Sequence, residues 1–215
     1  MKNLSYILLI IMLFWTSLGR AQNKKLKKYQ LKYIPDIDVY DVKGKHTTLR
    51  QLGKNKVLFI DSWFIPCPPC FYEMGMLHQL YLKYSNNRDF SFITICRTDS
   101  GIFKKFIAQD KSMDSYTQMY RELSKRQDFR LPVYFIPGCN EKIYTGKKLA
   151  NFEPDDKTKC PDAQFGFHGY PTIIIFDKKG KLILKKTGYD ADDLKQENVK
   201  TLKMENVLKA ALAAK

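Results

Sequence analysis

The sequence predicts an α/β fold: a central mixed β-sheet flanked by helices, with an N-terminal β-hairpin and an inserted loop. Three observations carry that expectation. Val57-Leu58-Phe59-Ile60 is a continuous apolar run, the mark of a strand covered on both faces. Phe71, Met74, Leu77, Tyr81 and Tyr84 then recur at three- and four-residue steps, which predicts an amphipathic helix. From Phe90 to Cys96 the chain alternates again, with Phe90 and Phe92 opposite Ile93 and Ile95, and reads as the next strand. A strand, helix, strand series of this length implies a right-handed parallel crossover.

The other elements follow in order. Ile37 to Leu52 alternates weakly around Lys43-Gly44-Lys45 and reads as a hairpin ahead of the core. Asn86-Asn87-Arg88-Asp89 ends the amphipathic helix. Ile102 to Gln109 and Met113 to Arg126 read as helices, the second opened by Asp114 and Ser115 as candidate caps. Leu131 to Ile136 reads as a strand. From Pro137 to Gln164 the chain is polar and aperiodic for about 28 residues, a length uncommon inside a domain unless the loop is functional or tied down. Thr172 to Phe176 is a second continuous apolar strand, Asp177-Lys178-Lys179-Gly180 a turn, and Leu182 to Lys186 pairs back. Val199 to Ala213, rich in Leu and Ala, closes the chain as a helix.

A chain of 215 residues, 44% hydrophobic, builds one substantial core, so a single decorated domain is expected. Met1-Lys2-Asn3, an apolar run from Leu4 to Leu18 and Gly19-Arg20-Ala21 read as a cleaved secretory signal over residues 1–21. The apolar run, about 15 residues, falls short of the roughly 20 that a spanning helix needs. Residues 22–33 then form a basic N-terminal segment, and 34–215 the domain, with its insertion at about 137–164. The expected location is the periplasm or the outer face of the cytoplasmic membrane. The full chain carries a net charge of +15; cleavage removes Lys2 and Arg20 and no acid, leaving +13. An exported protein seldom meets nucleic acid, so no such partner is expected, and the charge reads as a solvated basic surface with weak steering toward anionic membrane surfaces.

Five cysteines in an exported chain are available for disulfides, with one thiol left over. Cys67-Pro68-Pro69-Cys70 lies between a buried strand and a helix. Two thiols in a first helical turn can close a small disulfide, and the positive helix end favours a thiolate on Cys67, making it the attacking residue and Cys70 the resolving one. The two prolines are tolerated early in a helix, but each removes an N–H that would stabilise sulfur, which favours a reductant over a strong oxidant. Half of a zinc site is the competing reading, but no second CxxC or His pair has the spacing, and His46, His78 and His168 are scattered, so neither metal nor cofactor is expected. A static disulfide of this span closes little loop entropy.

Ser62-Trp63-Phe64-Ile65-Pro66-Cys67-Pro68-Pro69-Cys70 followed by a helix resembles the active site of the thioredoxin superfamily. Ile34-Pro35-Asp36, the Lys43-Gly44-Lys45 hairpin, Leu131-Pro132-Val133, Gly169-Tyr170-Pro171-Thr172 and Phe176-Asp177-Lys178-Lys179-Gly180-Lys181 extend the likeness to the TlpA and ResA branch of exported reductases, over about residues 34–190 apart from the insertion. The resemblance implies a thioredoxin-like fold, a cis Pro171 packed beside Cys67, and a Tyr170 backbone that pairs with substrate peptide. Trp63 resembles the family aromatic beside the site, with a pure core role as the alternative. Asp61 resembles the buried acid of thioredoxin; burial favours its protonated form and suits it to take a proton from Cys70. Pro66 stands where the family has Trp or Tyr, and the 137–164 insertion replaces a short connection; Tyr170 is also bulkier than usual before the proline, and the TlpA branch more often has Asn where Asp61 stands.

The implied activity is thiol-disulfide exchange that reduces disulfides of exported proteins, with apocytochrome thiols before haem attachment as one substrate class and a membrane electron donor for re-reduction. An oxidase or isomerase is the alternative. A thiol peroxidase would carry Thr where Phe64 stands, and a Cu(I) or haem carrier would draw on Met74, Met76 and His78. Cys139 and Cys160, 21 residues apart at the ends of the insertion, either bridge it, with a loop-closure contribution of order 3 kcal/mol, or act as auxiliary thiols. Cys96, on a buried strand, reads as an inert small hydrophobe.

Overall fold

In a computed structural model, residues 31–143, 154–188 and 197–214 are described. The expected signal and most of the expected basic N-terminal segment fall outside them, as does the middle of the insertion. The elements are β1 (Asp38–Asp41), β2 (His46–Thr48), α1 (Leu49–Leu52), β3 (Val57–Trp63), α2 (Pro68–Tyr84), β4 (Phe90–Cys96), α3 (Ser100–Ile107), α4 (Asp114–Ser124), β5 (Val133–Phe135), α5 (Pro161–Phe165), β6 (Thr172–Phe176), β7 (Leu182–Thr187) and α6 (Glu197–Ala213). Seven strands form one mixed sheet in the order β2-β1-β5-β4-β3-β6-β7. β3 runs parallel to β4, from Val57 opposite Phe90 to Trp63 opposite Cys96, and antiparallel to β6, with Ser62 opposite Thr172. The βαβ unit read from the sequence is β3-α2-β4.

Alternation along the strands sends side chains into two cores. Val57, Phe59 and Trp63 face one, where Phe71, Met74 and Leu77 of α2, Phe103 of α3, Tyr120 of α4 and Leu208 of α6 pack. Leu58, Ile60, Ile93, Ile95 and Ile174 face the other, which no long helix covers among the described residues. Its cover consists of Leu31, Ile34, Leu49 and the insertion residues Cys139, Cys160 and Phe165, together with Phe167. The insertion therefore supplies a layer of the domain.

Local chemistry sets the element ends. Gly44 takes φ +85° between β1 and β2, and the Asp41 carboxylate accepts from Lys43 N–H and Lys45 N–H at 2.8 and 2.9 Å. The second arm of the expected hairpin ends early, because Thr48 and Gln51 form a capping box that turns Leu49–Leu52 into a helical turn. Asp114 and Ser115 are not caps. The chain enters α4 through a 3-10 turn at Lys111–Met113, whose cap is Asp110, accepting from Ser112 N–H at 2.9 Å. The insertion, read as structureless, contains a 3-10 turn at Lys157–Lys159 and the five-residue α5, both too short to show a period in sequence.

Candidate active site

The end of β3 and the start of α2 create the site. Cys67 is the N-cap of α2, extended at φ −131° and ψ 92°, and its Sγ accepts the Cys70 backbone N–H at 3.3 Å. Pro68 and Pro69 fill the first two helical positions, where a missing N–H leaves no intrahelical bond unmade, so the Cys70 N–H is the first-turn donor left to the sulfur. The two cysteines are disulfide-bonded with Cα atoms 5.2 Å apart. Only 2% of Cys67 and 1% of Cys70 is exposed, and Pro68 stands exposed at the rim. The Ile65–Pro66 peptide, just before the pair, is cis.

The second loop of the site opens β6. Tyr170–Pro171 is also cis, and the β3–β6 register brings it to the same end of the sheet as Cys67. Tyr170 is wedged between Phe64 and Phe167, with ring centroids 5.3 and 5.2 Å away and both planes nearly perpendicular. Its hydroxyl donates to Asp162 Oδ1 at 2.9 Å, and the Arg97 guanidinium lies 5.6 Å from its ring centre. Burial, then the Asp162 charge, hold that hydroxyl protonated far above the ordinary tyrosine range.

Asp61 lies on the β3 face that α2 covers, opposite Thr94 and Ile173 and only 1% exposed. Trp63 follows the core alternative, not the substrate-facing one. It is fully buried, with Phe71, Phe103 and Phe129 at ring distances of 6.3, 6.0 and 5.2 Å, because β3 continues through Asp61-Ser62-Trp63 rather than ending before them. It is a core residue and does not reach the surface where a substrate would lie. Phe64, the next residue, takes the place by Tyr170.

One residue escaped the sequence reading. Glu73 is 1% exposed, three positions after Cys70 and on the same face of α2. The signal was available: an acid set inside the apolar stripe Phe71, Met74, Leu77. His78, further along, is also buried. Its Nε2 accepts the Arg130 N–H at 3.1 Å, so Nδ1–H donates to the Met74 carbonyl at 2.8 Å. Burial holds it neutral, below the usual histidine range. Both ring nitrogens of this candidate copper ligand are thus engaged. Among the described residues no cluster of three His, Cys, Asp or Glu has the geometry for a metal ion. Cys96 is buried, and its thiol is pushed up to about 12 by that burial. Cys139 and Cys160 are disulfide-bonded, with Cα atoms 4.9 Å apart. A groove of about 780 Å³ lined by Tyr33, Arg50, Lys54 and Lys179 lies at the other end of β3, away from the cysteines.

With one sulfur at a helix N-cap and the second in the first turn, this geometry can carry dithiol/disulfide exchange. No family model matches the chain. Over 171 residues, 80% of this chain and 77% of the relative, it is 26% identical to the thiol-disulfide oxidoreductase ResA of Bacillus thuringiensis subsp. konkukian, and it is equally similar to that of Bacillus cereus strain ATCC 10987. Among solved structures, a Chlorobium tepidum chain described as a thiol:disulfide interchange protein DsbE superposes with a TM-score of 0.56 at 21% identity, covering 86% of this chain and all of that one. An uncharacterized protein from Geobacillus kaustophilus gives 0.55 at 15% identity, covering 87% and 84%. These two show the fold. Taken with the sequence relatives and the paired cysteines, it supports thiol-disulfide oxidoreductase activity on a thioredoxin-like fold, and the chain is similar to the ResA type.

Proposed function

We propose that the protein reduces disulfides of exported proteins, with Cys67 and Cys70 as the catalytic pair. The observation that carries the reading is the placement of Cys67 Sγ at the N-cap of α2, accepting the Cys70 N–H, with Cys70 bonded to it from the first turn. The helix end stabilises a Cys67 thiolate. That thiolate attacks one sulfur of a substrate disulfide; a mixed disulfide forms and the other substrate sulfur leaves as a thiolate. Cys70, giving up its proton to the buried carboxylate of Asp61, then attacks Cys67 Sγ. The Cys67–Cys70 bond closes, the second substrate thiol departs, and two electrons have passed to the substrate.

The Tyr170–Pro171 edge receives the substrate peptide. A membrane electron donor returns the two electrons, and apocytochrome thiols awaiting haem are one substrate class that fits. The apolar segment at 4–18 and the basic run from Lys24 to Lys28 support export and a weak contact with an anionic membrane surface. Among the described residues no helix is long and apolar enough to cross a membrane.

The reduction potential of the pair tests the direction. Equilibration with dithiothreitol or glutathione is expected to give a value near that of thioredoxin, about −270 mV. A value near the strongest CxxC oxidants, about −120 mV, would make the protein an oxidase or isomerase instead.

A further inference from the structure

The end of β4 is tied to both loops of the site and to the insertion. Thr98 Oγ1 accepts the Ile65 N–H at 2.8 Å, holding the segment before Pro66 and Cys67. Arg97 lies under the Tyr170 ring. Both residues are gripped by the insertion through main chain: Glu141 N–H donates to the Arg97 carbonyl at 3.1 Å, and Asp99 N–H to the Glu141 carbonyl at 2.8 Å, closing a parallel bridge between Thr98 and Glu141. The side chains repeat the grip. Arg97 Nε is 3.3 Å from Glu141 Oε2 and its Nη1 3.6 Å from Asp162 Oδ1, the same oxygen that accepts the Tyr170 hydroxyl.

The two acids stand in matching places. Glu141 comes two residues after Cys139 and Asp162 two after Cys160, so the disulfide holds both carboxylates at the same post. Glu141 is 3% exposed and Arg97 only half-buried, and a buried carboxylate is costly without its cation. A guanidinium clamped between two carboxylates and capped by an aromatic face has one orientation, and the tyrosine ring above it is fixed in turn.

We propose that the disulfide-tied insertion is a positioning element for substrate: Glu141 and Asp162 fix Arg97 beneath Tyr170 and so set the Tyr170–Pro171 edge on which a substrate peptide lies. The proposal rests on the preceding reading of that edge. None of these residues touches the exchanging sulfurs, so they act on substrate affinity and leave the redox couple unchanged.

The test uses the full chain and two probes: insulin as a protein disulfide and 5,5′-dithiobis(2-nitrobenzoate) as a small one. Asp162→Ala, at a partly exposed site, is expected to raise KM for insulin about tenfold, the value of one hydrogen bond to a carboxylate, with kcat, the rate with the small probe and the Cys67–Cys70 potential unchanged. Asp162→Asn, which keeps an acceptor for the Tyr170 hydroxyl, restores part of the loss. Amide exchange over residues 169–172 is expected to quicken in Asp162→Ala. Unchanged KM together with unchanged exchange there would overturn the proposal, as would a fall in kcat and potential without a change in KM. A wild-type chain inactive on insulin would instead sink the reductase reading, and the amide-exchange comparison would still decide the positioning.

Discussion

Two disulfides of the same chemistry sit in opposite circumstances. Cys67–Cys70 spans three residues at the tip of a 17-residue helix that Phe71, Met74 and Leu77 anchor without it. Cys139–Cys160 spans 21 residues, and both of its sulfurs belong to a core whose cover is the insertion itself. In the chain-entropy view the longer closure removes about 1.5 kcal/mol more from the denatured state. Opening the first bond leaves α2 in place. Opening the second unties the ends of the layer over Ile95 and Ile174. Position in the fold, and not the bond, decides which disulfide is free to cycle.

The largest effect that sharpens this contrast is loss of turnover. Cys67→Ser is expected to abolish disulfide exchange, while Cys70→Ser accumulates a substrate mixed disulfide on Cys67, visible as a covalent adduct on a non-reducing gel. Activity retained in both variants would break the assignment. On the other side, Cys139→Ser with Cys160→Ser is expected to lower stability by about 3 kcal/mol in urea unfolding and to raise KM for insulin, with exchange between Cys67–Cys70 and a small disulfide preserved. An unchanged unfolding midpoint would show that the insertion holds its place without the bond.

A smaller effect separates the two regions by pH. His78 ties α2 to the segment before β5, and its protonation is disfavoured in the folded state. The unfolded chain binds this proton near pH 6.5, so the contribution is complete above that pH and is lost as pH falls toward the lower folded value. The slope is at most about 1.4 kcal/mol per pH unit. Urea midpoints between pH 7 and 5 are expected to fall more steeply in wild type than in His78→Gln; equal slopes would remove His78 from the account.

How far the sequence speaks follows the same division. β3 and β6 were legible because continuous apolar runs bury on both faces, β4 because it alternates, and α2 because its stripe spans several turns. The cysteine pair was legible by spacing alone. The insertion was not, since a three-residue turn and a five-residue helix carry no period and owe their place to Phe165 and the paired cysteines. Trp63 kept two readings because the polar pair Asp61-Ser62 masks the continuation of a fully buried strand. Glu73 was missed because an acid in a helix usually faces water, and its burial depends on what packs over α2. The Arg97 cluster was invisible: its members lie at 97, 141, 162 and 170 and meet only in the fold.

The most direct measurement is a redox titration of the whole chain with dithiothreitol, followed by alkylation and mass mapping of each cysteine. Cys67 and Cys70 are expected to open together at potentials where Cys139–Cys160 remains closed. Opening of all four in one transition, or of Cys139–Cys160 first, would contradict the division of labour between the two disulfides.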